Sequence, residues 1–203
     1  RTRSAAVDLT WNGAAVKSKM LGQTTGITYT DYNEGASYIS YFLTPATVCL
    51  AIPLYKQLEL LKRNLTAVAT AITAGVIGSV VSVYVMSMIF RLEHVHYVSL
   101  LPKSITTAIG MGVSEEAGGI VTMTIVSIII TGILGNIVAD GWFKLIGIKE
   151  PIAKGLALGT SAHAIGTAKA LELGEVEGAM SSLSIAVAGL MTVVSVPIMS
   201  GLI

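Results

Sequence analysis

Residues 65–90 run without a single charged side chain. As an α-helix this stretch would be about 39 Å long, more than the roughly 30 Å hydrocarbon layer of a bilayer requires. Charge-free stretches at 35–55, 117–139 and 178–203 repeat the pattern. Charged residues make up 12% of the chain, about half of the roughly 25% usual in a soluble domain. A bilayer leaves few ways to satisfy backbone polar groups, and helices are the one this pattern fits. The expectation is therefore an all-α, polytopic integral membrane protein, with about five membrane segments plus re-entrant or broken half-helices.

Several function classes drop out. The single cysteine, Cys49, excludes an intramolecular disulfide and a thiolate metal cluster. Phosphate-cradling, dinucleotide and nucleophile-elbow motifs are missing. Glu93, His94 and His96 read as a loop at the membrane surface rather than a metal site. The expectation is a protein that is not an enzyme, has no cofactor or metal, and does not bind nucleic acid. Residues 1–26 hold no long apolar run and the chain does not start with methionine. They are read as an atypical non-membrane segment, from a fragment or an altered start, ahead of a membrane domain at 27–203.

Loop charges suggest an orientation. Lys56, Lys62 and Arg63 cluster before the 65–90 stretch, and Lys144, Lys149 and Lys154 follow the 117–139 stretch. Placing both clusters in the cytoplasm satisfies the positive-inside rule, so 65–90 leads out and 117–139 leads back. Residues 91–116 then lie outside or fold partway into the membrane.

Two apolar stretches, 104–114 and 155–168, are short for a crossing and rich in Gly, Ser and Thr. Such segments point to half-helices at a solute site. Thr44-Pro45 and Leu101-Pro102 mark helix starts or breaks, and a helix that begins inside the membrane presents free N–H groups to an anion. Lys103, Ser104, Thr106 and Thr107 beside Pro102 place a cation and hydroxyls where a small carboxylate would bind. Projected at 100° per residue, Gly155, Gly159, Ala162, Gly166 and Ala170 share one small-residue packing face. Thr160, His163 and Thr167 form a polar stripe roughly 90° away. These seven polar residues (Lys103, Ser104, Thr106, Thr107, Thr160, His163 and Thr167) are the candidate solute-binding set. Asn136 is read as interhelical glue, and Gly118-Gly119 as a turn.

Three stretches carry a family resemblance: ITYTDYNEGASYISYFLTPATVCLAIPLYKQLELLK from Ile27, LLPKSITTAIGMGVSEEAGGI from Leu100, and IKEPIAKGLALGTSAHAIGTAKALELGEVEGAMSSL from Ile148. Over 27–203 the chain resembles the LrgB/CidB family of bacterial membrane proteins. The resemblance implies a multi-pass protein of the bacterial plasma membrane, antiholin-like or autolysis-modulating, acting with a small holin-like partner of the LrgA/CidA type. Relatives with pyruvate uptake roles and the chloroplast glycolate/glycerate translocator imply transport of small monocarboxylates. The family is also distantly similar to the cation–proton antiporter and bile-acid symporter architecture, with its sites at broken helices. It usually carries one or two further helices where this chain has residues 1–23. Partners expected are thus the lipid bilayer, a small carboxylate, a holin-like protein and, from the small-residue faces, a second copy of the chain. Two functions stand side by side: carboxylate transport linked to autolysis, and regulation of murein hydrolases and lysis through a holin-like partner.

Overall fold

The computed structural model describes residues 55–203 together with Glu34, Tyr41 and Ile52. The 35–55 stretch, Thr44 and Pro45 lie, wholly or nearly so, outside the described residues. Contacts divide the chain into Arg1–Cys49 and Leu50–Ile203. The second unit holds seven helices among the described residues: α1 (Leu58–Arg63), α2 (Leu65–Phe90), α3 (His94–Leu100), α4 (Thr107–Glu116), α5 (Val121–Ile146), α6 (Pro151–Leu173) and α7 (Glu175–Ser200).

Three of them, α2, α5 and α7, are long and apolar enough to cross a membrane. Each hides one stripe and exposes the rest. On α2 the stripe is Val68, Ile72, Val76, Val80, Val83 and Ser87, spaced three or four residues apart. Its outward residues Ile77, Val85 and Ile89 are as apolar as its buried ones, which suits a helix whose solvent is lipid. The ends are closed locally. Gly147 takes a left-handed conformation (φ 74°) so that the Ile148 N–H reaches back to Phe143 O and closes α5. Gly118 (φ 77°) does the same for α4, with Gly119 N–H donating to Ser114 O, which realises the turn read at Gly118-Gly119.

Between the long helices the chain doubles back twice. The Thr124 hydroxyl donates to Ser99 O at 2.8 Å and to Ser114 Oγ at 2.6 Å. A continuous helix would hold residues 99 and 114 about 22 Å apart. Helices α3 and α4 are therefore the two limbs of a hairpin whose tip is 101–106, and its base is tied to the start of α5. The second reversal lies inside α6, where His163 leaves helical geometry (φ 43°, ψ −133°). A side chain on Gly166 would lie 2.6 Å from Leu158 O, although eight residues of helix span about 12 Å. Leu158 and Ala170 also share one buried cluster with Ala139 and Phe143 of α5. So α6 is a second hairpin, with His163 at its tip. Its outgoing limb is pinned by Lys169, which bridges Asp140 of α5 at 3.0 Å and Glu172 at 3.3 Å.

The hairpins approach along α5 from opposite ends. The base of the first lies at Ile120 and Thr124, that of the second at Asp140 and Phe143. They meet at Ile128: its side chain lies against Gly110 of α4, and its carbonyl accepts a hydrogen bond from His163 Nε2 at 2.9 Å. The order is long helix, hairpin, long helix, hairpin, long helix.

Two readings from the sequence change here. Of the start or break read at Pro102, the structure has the break and not the start: α3 ends at Leu100, Pro102 lies buried in the tip, and α4 starts at Thr107 with Thr106 as its N-cap. The small-residue face of α6 is not one face. Gly155 and Gly159 pack on α7, Ala162 meets Gly135 of α5, and Gly166 packs against its own incoming limb. The projection assumed an unbroken helix, which the reversal at His163 removes.

Candidate functional site

A cavity of about 500 Å³ lies beside the hairpin tips. The first tip contributes Lys103 and Ser104, the incoming limb of the second contributes Thr160 and Ser161, and α2 contributes Gly75 and Ser79. Trp142 and Phe143 of α5 and Leu156 of α6 supply apolar wall. Lys103 is the one charged side chain lining this cavity among the described residues.

The ammonium of Lys103 is held by hydroxyls alone. It donates to Ser104 Oγ at 3.1 Å and to Ser79 Oγ at 3.4 Å, and Ser79 donates to Ser104 at 2.9 Å. An ammonium has three N–H donors, so these two bonds leave one for a ligand. No carboxylate among the described residues forms an ion pair with it. Helix dipoles add little bias, because each tip holds one helix C-terminus and one N-terminus, whose partial charges offset. The positive character of the cavity comes from Lys103.

Thr160 occupies the second tip's side of the cavity, with its hydroxyl donating back to Leu156 O at 2.7 Å. It fits because Gly75 has no side chain: a Cβ there would lie 2.8 Å from Thr160 Oγ1. Gly75 and Ser79 are the residues that sequence reasoning missed. Their signal was present, since they stand four residues apart on one face of α2, but a small residue and a serine in an apolar helix resemble ordinary packing.

The other candidates are placed elsewhere. Thr106 and Thr107 start α4 and are half-buried, outside the cavity lining. Thr167 is fully buried, bonded to His163 O at 3.0 Å and to Ser181 Oγ of α7 at 2.7 Å. His163 is buried and its Nε2 is committed to Ile128 O. A carbonyl only accepts, so that nitrogen carries the proton. The ring lies over Gly132, where a Cβ would come within 2.8 Å of it. Asn136 donates to Ile165 O at 3.2 Å, the interhelical bond expected of it.

Such an arrangement defines a membrane protein, helical throughout its described elements, in which two helical hairpins close on a hydroxyl-lined cavity bearing one cation. The chain belongs to the LrgB-like family, which its residues 14–202 match. It is similar to the antiholin-like protein LrgB of Bacillus mycoides (strain KBAB4), 44% identical over 170 residues, 84% of this chain and 74% of that protein. The protein of the same name from Bacillus cereus (strain B4264) is 42% identical over the same shares of each. No solved structure matches the chain.

Proposed function

We propose that this protein is a carrier of small organic monocarboxylates, of the pyruvate, glycolate and glycerate class, in the bacterial plasma membrane. The observation that carries this reading is Lys103: a cation within the fold, held by two hydroxyls and facing a cavity without a carboxylate. Placing a charge there is costly unless something compensates it, and a solute anion does so. One cation suits one carboxylate, while Ser79, Ser104 and Thr160 suit the hydroxyl or keto oxygen beside it. No bond is made or broken in this role. In this reading α2, α5 and α7 cross the bilayer, with Lys56, Lys62, Arg63, Lys144, Lys149 and Lys154 at the cytoplasmic face. The two hairpins then enter from opposite faces and meet at the cavity.

The test is uptake of labelled pyruvate, glycolate and glycerate by the purified protein in liposomes. Saturable uptake of at least one, lost in Lys103→Ala, supports the carrier. Its absence for all three, with folded protein, overturns it.

A second reading follows from the name of the relatives: an antiholin-like regulator of lysis that acts through a small holin-like membrane partner. Gly155 and Gly159 are already spent on α7, so a partner would dock on the outward apolar faces of the long helices. Co-purification with such a partner that survives Lys103→Ala would favour this reading.

A further inference from the structure

A separate cavity of about 550 Å³ lies where α5 gives way to α6. Three lysines from neighbouring points of the chain line it: Lys144 in the last turn of α5, Lys149 just past the turn at Gly147, and Lys154 near the start of α6. None of the three forms an ion pair among the described residues. The carboxylate in the lining, Asp140, is held by Lys169 at 3.0 Å. Glu172 is held by the same lysine, and Glu150 lies outside the lining. Like charges gathered at one cavity repel one another until an anion joins them. The other basic cluster is already balanced in part: Lys56 pairs with Glu175 at 3.9 Å, and Glu59 stands one turn from Lys62 and Arg63 on α1.

The rest of this cavity is apolar. Phe143, Ile148 and Leu173 line it beside the lysines, and a small soluble anion gains nothing from them. An apolar stripe also leads away from the cations. Projected at 100° per residue, Ile130, Ile133 and Ile137 fall on the face of α5 that ends at Lys144. All three isoleucines are exposed. Ala164 and Ala168, on the neighbouring outgoing limb of α6, are exposed as well, and their small side chains keep the flank of the stripe shallow. From Ile130 to Lys144 is about 21 Å of helix, more than one leaflet, which is half of a hydrocarbon layer roughly 30 Å thick. A cluster of cations at the head of an apolar stripe of that length matches a lipid with a negative headgroup.

We propose that the cavity of Lys144, Lys149 and Lys154 binds the phosphate headgroup of an anionic phospholipid, whose acyl chains lie along Ile137, Ile133 and Ile130. Lysine suits this task, because its three donors turn on a flexible stem to meet a phosphate. The bound lipid touches the end of α5 and the base of the second hairpin together, and so clasps one to the other. The inference needs no transported solute and stands apart from the carrier reading; it uses only the crossing of the membrane by α5.

The test melts the purified full chain in a neutral detergent with rising fractions of phosphatidylglycerol. A saturable rise of about 5 °C in melting temperature is expected. Phosphatidylcholine at the same fractions, and inorganic phosphate without lipid, should leave the melting temperature unchanged. The variant carrying Lys144→Gln, Lys149→Gln and Lys154→Gln should lose the rise. The variant carrying Lys56→Gln, Lys62→Gln and Arg63→Gln removes the same charge elsewhere and should keep it. Lys154→Gln alone should raise the lipid fraction needed for half the effect about fivefold, and supplies the reading if the triple variant does not fold. An equal rise with phosphatidylcholine would mean that the headgroup is not recognised. An equal rise with phosphate would mean a site for free anions, and equal losses in both triple variants a general attraction of charge. Each of these results, or no rise at all, overturns the lipid site. Ile137→Trp tests the chains: after subtraction of the wild-type signal, brominated-chain phosphatidylglycerol should quench it at lower fractions than brominated-chain phosphatidylcholine. Equal quenching would overturn their placement on α5.

Discussion

The two hairpins share an architecture and differ in how their tips use polar groups. The second tip spends them internally: His163 bonds Ile128 O, Thr167 bonds Ser181, and Asn136 holds the Ile165 carbonyl just past the reversal. The first tip leaves a surplus, since Lys103 meets only two hydroxyls and faces open space. A hairpin in a membrane must satisfy the backbone groups that its reversal frees. The second tip does that work and shapes the cavity wall, whereas the first carries an unmatched charge. The lesson is that a histidine and a lysine in apolar stretches, equally conspicuous in a sequence, are set apart once their partners are known: one ring is bonded across to α5, and one ammonium meets only hydroxyls.

The sharpest way to break this contrast is to remove each group in turn. Lys103→Ala is expected to lower carboxylate uptake by about 30-fold or more, because deleting one side of a buried charge contact costs roughly 2–5 kcal/mol. His163→Ala, measured per folded molecule in the membrane, should leave uptake within about twofold, since the ring outside the cavity supplies only a structural hydrogen bond of about 1 kcal/mol. Equal losses in both variants would show that the tips act as one site.

The next test loads the second tip from α5. Gly132→Ala places a methyl against the imidazole, at 2.8 Å from its Cε1. The ring must move and release Ile128, and overpacking of this kind costs about 1–3 kcal/mol. A lower melting temperature in detergent is expected for Gly132→Ala. Gly141→Ala on the same helix has nothing within 4 Å and should melt like the wild type. Equal melting of the two would remove the case for a tightly seated tip.

How much of this was legible in the sequence follows from the same residues. The length of 65–90 and the short, glycine-rich 155–168 stretch gave the long helix and the half-helix, because bilayer thickness sets both limits. The reversal itself was hidden. It occurs at a histidine, with neither glycine nor proline at the turning point, so a helical projection ran straight through it. Lys103 was visible as a cation in an apolar setting, and its union with Thr160 followed from the two short segments. Ser79 was not visible, since its role depends on a contact 25 residues away. Pro102 misled for a physical reason: proline suits a tight turn as well as a helix start, and only the fold decides between them.

The smallest expected effect concerns the turning point. His163 at φ 43° is one of two non-glycine residues with positive φ among the described residues, and its ψ of −133° puts it outside the left-handed helical region. Glycine adopts this conformation without strain, because its mirror image lies near the polyproline region. His163→Gly and His163→Ala both lose the bond to Ile128, worth about 1 kcal/mol. Only the glycine also relieves backbone strain, which is of order 1–3 kcal/mol at such positions. His163→Gly is therefore expected to melt higher than His163→Ala, despite the greater entropy of glycine in the unfolded chain. Identical melting would mean that the reversal is held by its neighbours alone. A higher melting temperature for glycine would mean that the imidazole is kept at the tip at a conformational cost, for the bond it makes across to α5.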